Sequence, residues 1–223
     1  ASKGSGVLKG AASPAGRVSG GGQAFAGKIS RSALPTGNKG RILVSRPATG
    51  ELFAHPMTSP MQYTKPFLKW PGGKFRLLDK ILSRLPAGRR LVEPFAGSGA
   101  VFLNAPHDAF LICDVNPDLI GLFTTLQRRG APFIERCATL FTPGHNTEKT
   151  FYRLRDRFNT STDAEERAAL LLYLNRHAYN GLVRYNASGK FNVPFGRYVT
   201  PYFPKAELLA FLDKCAACDV AFA

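Results

Sequence analysis

Tryptophan, methionine, cysteine and histidine are all scarce in this chain of 223 residues: one Trp, two Met, four Cys and four His. The cysteines Cys113, Cys137, Cys215 and Cys218 do not make a disulfide framework in a chain of this length. Cys215 and Cys218 have CxxC spacing, but no second pair and no nearby histidine completes a tetrahedral site. They read as buried free thiols in a reducing compartment, with no metal. His55, His107, His145 and His177 are scattered, which leaves little support for a histidine-based catalytic cluster; His177 reads as a polar helix-end residue or, less readily, a phosphate contact. No stretch is apolar over the roughly 18 residues that a membrane span needs, and no apolar run follows the first lysines as it would in a signal peptide. No membrane partner is expected. Acid is the most telling shortage. Fifteen Asp and Glu stand against 30 Lys and Arg, a formal net charge of +15, which is the electrostatic footprint of a polyanion binder, with nucleic acid the first expectation.

Residues 1–60 are dominated by Gly, Ser, Ala and Pro, their apolar residues come singly, and Glu51 is their only acid. Such a segment cannot bury enough apolar area to offset its ordering entropy. It is expected to be a disordered basic segment: a solvated tail, sequence upstream of a natural start at Met57 or Met61, or a DNA-binding arm.

From Phe67 the pattern is globular. Leu77, Leu78, Ile81, Leu82 and Leu85 recur at helical spacing within 75–85, and Pro86-Ala87-Gly88 ends the run. Strands are expected at 90–93 and 109–113 around a helix beginning near Ser98. Further helices are expected at 118–129, capped by Asn116-Pro117, and at 131–141, 148–158, 164–177 and 205–215. After the turn signal Asn180-Gly181, two alternating stretches, 182–185 and 190–193, flank Asn186-Ala187-Ser188-Gly189 and predict a β-hairpin. Asp219-Val220-Ala221-Phe222 reads as a final strand.

Three segments carry chemistry. Glu93-Pro94-Phe95-Ala96-Gly97-Ser98-Gly99 follows the apolar pair Leu91-Val92, and a second apolar run, Leu111-Ile112-Cys113, ends in Asp114. Strand, glycine turn, helix, strand and acid is the order by which an open α/β sheet holds a nucleoside, with the acid roughly 20 residues beyond the turn accepting from ribose hydroxyls. The competing reading is a plain tight turn before a helix. Upstream, Phe67-Leu68-Lys69-Trp70-Pro71-Gly72-Gly73-Lys74 places an indole, two ammonium groups and a Gly-Gly turn ahead of a helix, an arrangement suited to an anionic or carboxylate-bearing ligand, with Lys74 to pair with it. It is not a P-loop, because Phe75 stands where Ser or Thr would hold Mg²⁺. The third segment, 174–198, alternates Arg with Tyr, Phe and Asn. Arg suits guanine, Asn suits adenine and aromatic rings stack on displaced bases. Arg184 is the candidate base reader and Arg197 the candidate phosphate contact, while Phe191 and Phe195 are expected to pack inward.

Lys69-Trp70-Pro71-Gly72-Gly73-Lys74, the 93–99 turn, Asp114-Val115-Asn116-Pro117-Asp118-Leu119, Asn175-Arg176-His177-Ala178-Tyr179-Asn180-Gly181-Leu182 and Phe191-Asn192-Val193-Pro194-Phe195-Gly196-Arg197-Tyr198 together resemble the Dam family of DNA adenine-N6 methyltransferases, in that family's order and from about residue 65 onward. The resemblance implies an α/β fold: a Rossmann-like methyltransferase sheet, here incomplete, with an inserted helical and β-hairpin target-recognition domain. It divides the chain into 61–116 and 204–223 for the cofactor domain and 117–203 for recognition. It implies S-adenosyl-L-methionine as cofactor, on Trp70, Lys74, Glu93, Pro94, Phe95, Ala96, Gly97, Gly99 and Asp114. It implies double-stranded DNA as partner, contacted by Lys69, Tyr179, Asn180, Leu182, Arg184, Pro194 and Arg197: Lys69 at the first guanine of a GATC site, Tyr179 as a wedge, Leu182 and Arg184 on bases. A monomeric, cytoplasmic, nucleoid-associated protein of a bacterium or phage is implied, within a mismatch-repair context or beside a restriction endonuclease.

Pro71 and His177-Ala178 depart from the family's usual residues. The larger departure is that the family's catalytic Asp-Pro-Pro-Tyr occurs nowhere in the chain. In that family the motif follows the recognition insertion, so the expectation is a fragment, no catalytic residue within the chain and no full methyl transfer by it. A non-catalytic DNA-binding remnant and an RNA adenine methyltransferase are the alternatives.

Overall fold

The computed structural model describes residues 62–223; the expectations for the first 60 residues and for the starts at Met57 and Met61 lie outside them. Three strands, β1 (Arg90–Glu93), β2 (Ala109–Ile112) and β3 (Asp219–Phe222), form a parallel sheet in the order β1-β2-β3. Arg90 pairs with Ala109 and Glu93 with Ile112, and Ala109 and Ile112 pair in turn with Asp219 and Phe222.

Because side chains alternate across a strand, Leu91, Glu93, Phe110, Ile112, Val220 and Phe222 share one face. Three helices cover it: α2 (Ala100–Asn104), α3 (Pro117–Arg129) and α7 (Lys205–Ala217). The seam is aromatic. Phe102 meets Phe110 edge-on with ring centroids 5.1 Å apart, Phe123 lies 5.6 Å from Phe222, and Phe211 stacks on Phe222 at 5.9 Å. Phe67 closes the cluster at 5.8 Å from Phe123 and 5.3 Å from Phe211. The other face presents Arg90, Val92, Asp219 and Ala221 to solvent, with Val92 53% exposed and Arg90 paired to Asp219 across the sheet at 2.9 Å. Parallel sheets ordinarily have both faces covered; among the described residues only one is.

The segment expected to be a helix over 75–85 is a 3-10 turn, Lys74–Leu77, followed by the short α1 (Leu78–Leu82). Gly73 offers no side chain to cap it, and a tightened first turn is the usual outcome. The remaining helices, α4 (Ala131–Ala138), α5 (Glu148–Thr160) and α6 (Ala164–His177), lie within a residue or a few of their expected spans. Their starts are chemically marked. The Asn116 side chain accepts from the amides of Asp118 and Leu119 at 3.0 and 3.3 Å, Thr147 from Thr150 at 3.2 Å, and Asp163 from Glu166 at 2.6 Å. Helix α6 is buried from Ala168 through His177 and runs through the middle of the helical layer, packed by α3, α4 and α5.

The 182–193 region is not the two-stranded ladder that alternation predicts. Tyr185 and Phe191 form a single antiparallel bridge, flanked by Asn186 N–H to Lys190 O (2.9 Å) and Asn192 N–H to Arg184 O (3.1 Å). Two features stop the ladder. Asn159 of α5 takes the outward-facing groups of Phe191, accepting from its N–H at 2.8 Å and donating to its carbonyl at 3.1 Å. Pro194 then lacks the N–H to continue, and its carbonyl turns to accept from Tyr179 N–H at 2.9 Å.

Candidate functional site

The glycine turn and the acid meet at the C-terminal ends of β1 and β2, where open α/β sheets place their ligands. Cys113 N–H donates to Glu93 O at 2.8 Å and Ala96 N–H to Cys113 O at 2.9 Å, so the turn is an extension of the strand pair. Gly97 and Gly99 carry φ of 54° and 75°, the left-handed region that glycine enters freely. Gly97 N–H donates to Asp114 Oδ2 at 2.9 Å, and Asn116 N–H to Asp114 Oδ1 at 3.0 Å. Each carboxylate oxygen therefore has one amide and retains further acceptor capacity, which fits a vicinal diol. On the other side of Gly97 lies Trp70. A Cβ at Gly97 would come within 3.0 Å of indole Cδ1 and 3.2 Å of Nε1.

Lys74 and Glu93 are already engaged. Lys74 Nζ donates to Glu93 Oε1 at 3.2 Å and to the Phe95 carbonyl, and Glu93 Oε2 accepts from Phe102 N–H at 3.2 Å. Burial raises the Glu93 carboxyl above its ordinary value even against the lowering effect of Lys74. Glu93 thus holds Lys74 and the start of α2 in place, Lys74 retains one donor for a ligand, and Ala96 is buried in the turn. Pro94 and Phe95 form its rim, with Phe95 75% exposed.

The residues expected on nucleic acid fall into two groups. Lys69, Tyr179, Asn180, Pro194 and Arg197 are drawn together where the chain after α6 crosses 194–198. Besides the Tyr179–Pro194 bond, Gly196 N–H donates to His177 O at 2.8 Å, and Ala178 bridges Phe195. Tyr179 is 54% exposed, and the Arg197 guanidinium projects into solvent 4.0 Å from Glu148. Asn180 and Arg197, neither a glycine, both have φ of 53°. Leu182 and Arg184 lie on the separate arm that returns through Phe191; Arg184 Nε donates to Asn192 Oδ1 at 2.8 Å, leaving its terminal nitrogens exposed. The arm is tied to α3 by Tyr185, whose hydroxyl donates to Asp118 Oδ2 at 2.7 Å, while Arg167 pairs with Asp118 Oδ1 at 2.5 Å.

His177 does not reach a phosphate. It is 1% exposed, stacked on Tyr173 at 3.9 Å, with Nδ1 at 2.9 Å from the Tyr173 carbonyl, and burial depresses its pKa to about 4. Phe191 packs on Phe158 at 5.9 Å and Phe195 on Phe151 at 5.4 Å, as expected of inward aromatics. Cys215 is pushed up to about 12 by burial. Sequence reasoning missed Asn175 and Tyr198 as parts of the site. Lys69 Nζ lies 4.3 Å from the centre of the Tyr198 ring, and Asn175 holds the Lys69 backbone at both ends, accepting from its N–H at 3.0 Å and donating to its carbonyl at 2.7 Å. One signal for Asn175 was available: an amide directly after the apolar run 168–174, in the last turn of α6.

Among the described residues no helix is long and apolar enough to cross a membrane, and no group of three or more His, Cys, Asp or Glu is placed to hold a metal ion.

Residues 70–222 match the family described as D12 class N6 adenine-specific DNA methyltransferase. The chain is 53% identical over 154 residues to the DNA adenine methylase of Serratia marcescens, covering 69% of this chain and 57% of that protein. It is 49% identical over the same length to that of Escherichia coli K12, covering 55% of it, and 45% identical to that of Vibrio cholerae O395, covering 56%. The chain spans little more than half the length of these curated relatives.

Proposed function

The chain belongs to the D12 class of N6 adenine-specific DNA methyltransferases, and from that premise we propose that residues 62–223 are the cofactor-holding and DNA-reading part of an enzyme that methylates adenine N6 in duplex DNA at GATC. S-adenosylmethionine supplies, when bound, an electrophilic methyl carbon on a sulfonium centre. One observation carries the reading: Gly97 joins the Asp114 carboxylate on one side to the Trp70 indole on the other, at the ends of parallel strands. Asp114 has free acceptor capacity for the ribose hydroxyls, the indole offers a π-face toward a cation, and Lys74 has one donor left for a carboxylate. These groups suit a nucleoside with a cationic centre and a carboxylate tail.

The DNA face is cationic and aromatic. Lys69 and Arg184 present donors to base edges, and Arg197 presents one to phosphate. The exposed Tyr179 ring is shaped to fill the gap left when an adenine swings out of the stack. Asp118–Tyr185 ties the reading arm to the helix that begins beside Asp114. Residues 117–203 form the recognition insertion in this reading, with α3 serving both it and the sheet, and the protein acts as a monomer. The chain holds no Asp-Pro-Pro-Tyr, so polarisation of the adenine amine is assigned to none of these residues.

Trp70 is the chain's one tryptophan, so its emission reports the site directly. S-adenosylmethionine is expected to change that emission saturably, and Asp114→Ala to abolish the response. A duplex containing GATC is expected to bind more tightly than a scrambled duplex or a structured RNA of equal length. No saturable response to the donor, or a preference for RNA, overturns the reading.

A further inference from the structure

The geometry points to Asn175 as the positioning residue for Lys69: one buried amide sets where the base-reading lysine stands relative to the turn 179–182, whose Tyr179 and Asn180 are exposed. This rests on the proposed DNA-reading role of Lys69. Asn175 is 0% exposed at the end of α6 and uses its side chain on two separate loops. Oδ1 accepts from Lys69 N–H at 3.0 Å, while Nδ2 donates to Lys69 O at 2.7 Å and to Gly181 O at 2.9 Å. The two loops touch beneath that amide. Gly181 has φ of 66°, and a Cβ there would lie 2.4 Å from Lys69 Cδ, 2.7 Å from Lys69 Cβ and 3.0 Å from the Asn175 carbonyl. The lysine stem therefore crosses directly over the Gly181 backbone, and its ammonium comes to rest over the Tyr198 ring. A side chain with this much rotamer freedom gains one direction from three constraints: a backbone fixed at both ends, a floor with no Cβ, and an aromatic seat. Asn175 supplies the first and holds the second in place. An amide is suited to the task, since it donates and accepts at one buried point and, uncharged, needs no counter-ion.

The test is DNA binding by the chain to a set of duplexes that each change one base pair of GATC. Asn175→Ala is expected to lose discrimination at the same base pair as Lys69→Ala, by roughly fivefold to a hundredfold, with affinity for unrelated duplex lowered by a smaller factor. Gly181→Ala pushes the lysine stem from below and is expected to lose discrimination at that same pair. If Asn175→Ala melts at the assay temperature, the same titrations below its melting transition decide the matter. In a Lys69→Ala background neither change is expected to alter discrimination further, because residues acting through one group are not additive. Equal weakening on every duplex, or additive losses with Lys69→Ala, overturns the inference. A wild-type chain that ignores base changes altogether overturns instead the DNA-reading role on which it rests.

Discussion

Asp114 and Trp70 are held on opposite sides of one residue: the Gly97 amide donates to the Asp114 carboxylate at 2.9 Å, and its Cα faces the indole so closely that a Cβ would sit 3.0 Å from the ring. The acid and the indole therefore cannot be displaced independently. Gly97→Ala meets two penalties, the indole contact and a left-handed φ of 54°, which together are expected to cost about 1–3 kcal/mol of stability. Donor affinity, followed by the emission of Trp70, is expected to fall more than tenfold. Gly88→Ala, with nothing within 4 Å of the added carbon, serves as the control and leaves both quantities unchanged.

Below neutrality the fold is expected to weaken through His177. Its pKa falls from 6.5 to about 4 in the fold, first because burial disfavours the cation and to a lesser degree because His145 is near, against the Tyr173 carbonyl, which favours it. A group depressed on folding stabilises the native state above its unfolded pKa and loses that contribution as pH falls through the folded one. Up to about 3 kcal/mol should therefore drain away between pH 6.5 and 4. Glu93, raised by burial, acts in the opposite sense, and Glu166, lowered chiefly by Arg157, in the same sense below the ordinary carboxylate range, so the histidine's share of the slope from pH 6.5 to 4 is the part that His177→Phe removes. Urea unfolding across that interval measures it. His177→Phe keeps a ring between Phe141 and Tyr173 and is expected to flatten the slope.

How much of this was legible in the residues depended on how far away each partner lay. Asn116-Pro117 is a local signal, and α3 starts where it says, because the capping amides are the next two residues but one. The strands and the glycine turn were equally legible, since each is short, apolar and bounded. Helix α6 lies at its expected span, 164–177, but its role as the buried centre was not visible, because the unbroken apolar run 168–174 has no face to read. The arm at 182–193 alternates as a strand does, yet Asn159 and Pro194 remove its ladder, and the first of these belongs to another helix. Asn175 and Lys69 are joined across more than a hundred residues, a pairing that no local pattern encodes.

Tyr185→Phe tests whether the reading arm needs its anchor. The substitution removes only the hydroxyl that donates to Asp118 at 2.7 Å; that hydroxyl is held protonated, since burial and then Asp118 raise its pKa. Asp118 keeps its pair with Arg167, so the loss is expected to be about 1–2 kcal/mol rather than that of a stranded buried charge. Sequence discrimination at the base pair proposed for Arg184 should decline while donor binding is retained. Hydrogen exchange should quicken at the amides of Asn186 and Asn192, whose bonds hold the arm closed.

Arg197 carries a backbone conformation that glycine would adopt without strain, at φ 53°, while its guanidinium sits in solvent with Glu148 no nearer than 4.0 Å. An exposed arginine kept in a left-handed conformation is contributing something other than stability, and the proposed reading assigns it phosphate contact. Arg197→Gly is therefore expected to stabilise the chain or leave it unchanged, because relief of about 1 kcal/mol of strain offsets the looser unfolded state. Arg197→Ala keeps the strain and brings no such relief. Both are expected to weaken DNA binding by the same factor on every sequence and to reduce the dependence of log affinity on log salt by about one. Arg184→Ala should differ in kind, costing about 1–3 kcal/mol at one base pair and leaving the salt slope intact. Titrations at several salt concentrations on matched and single-substituted duplexes separate the two roles, and an altered salt slope for Arg184→Ala would make it a phosphate contact.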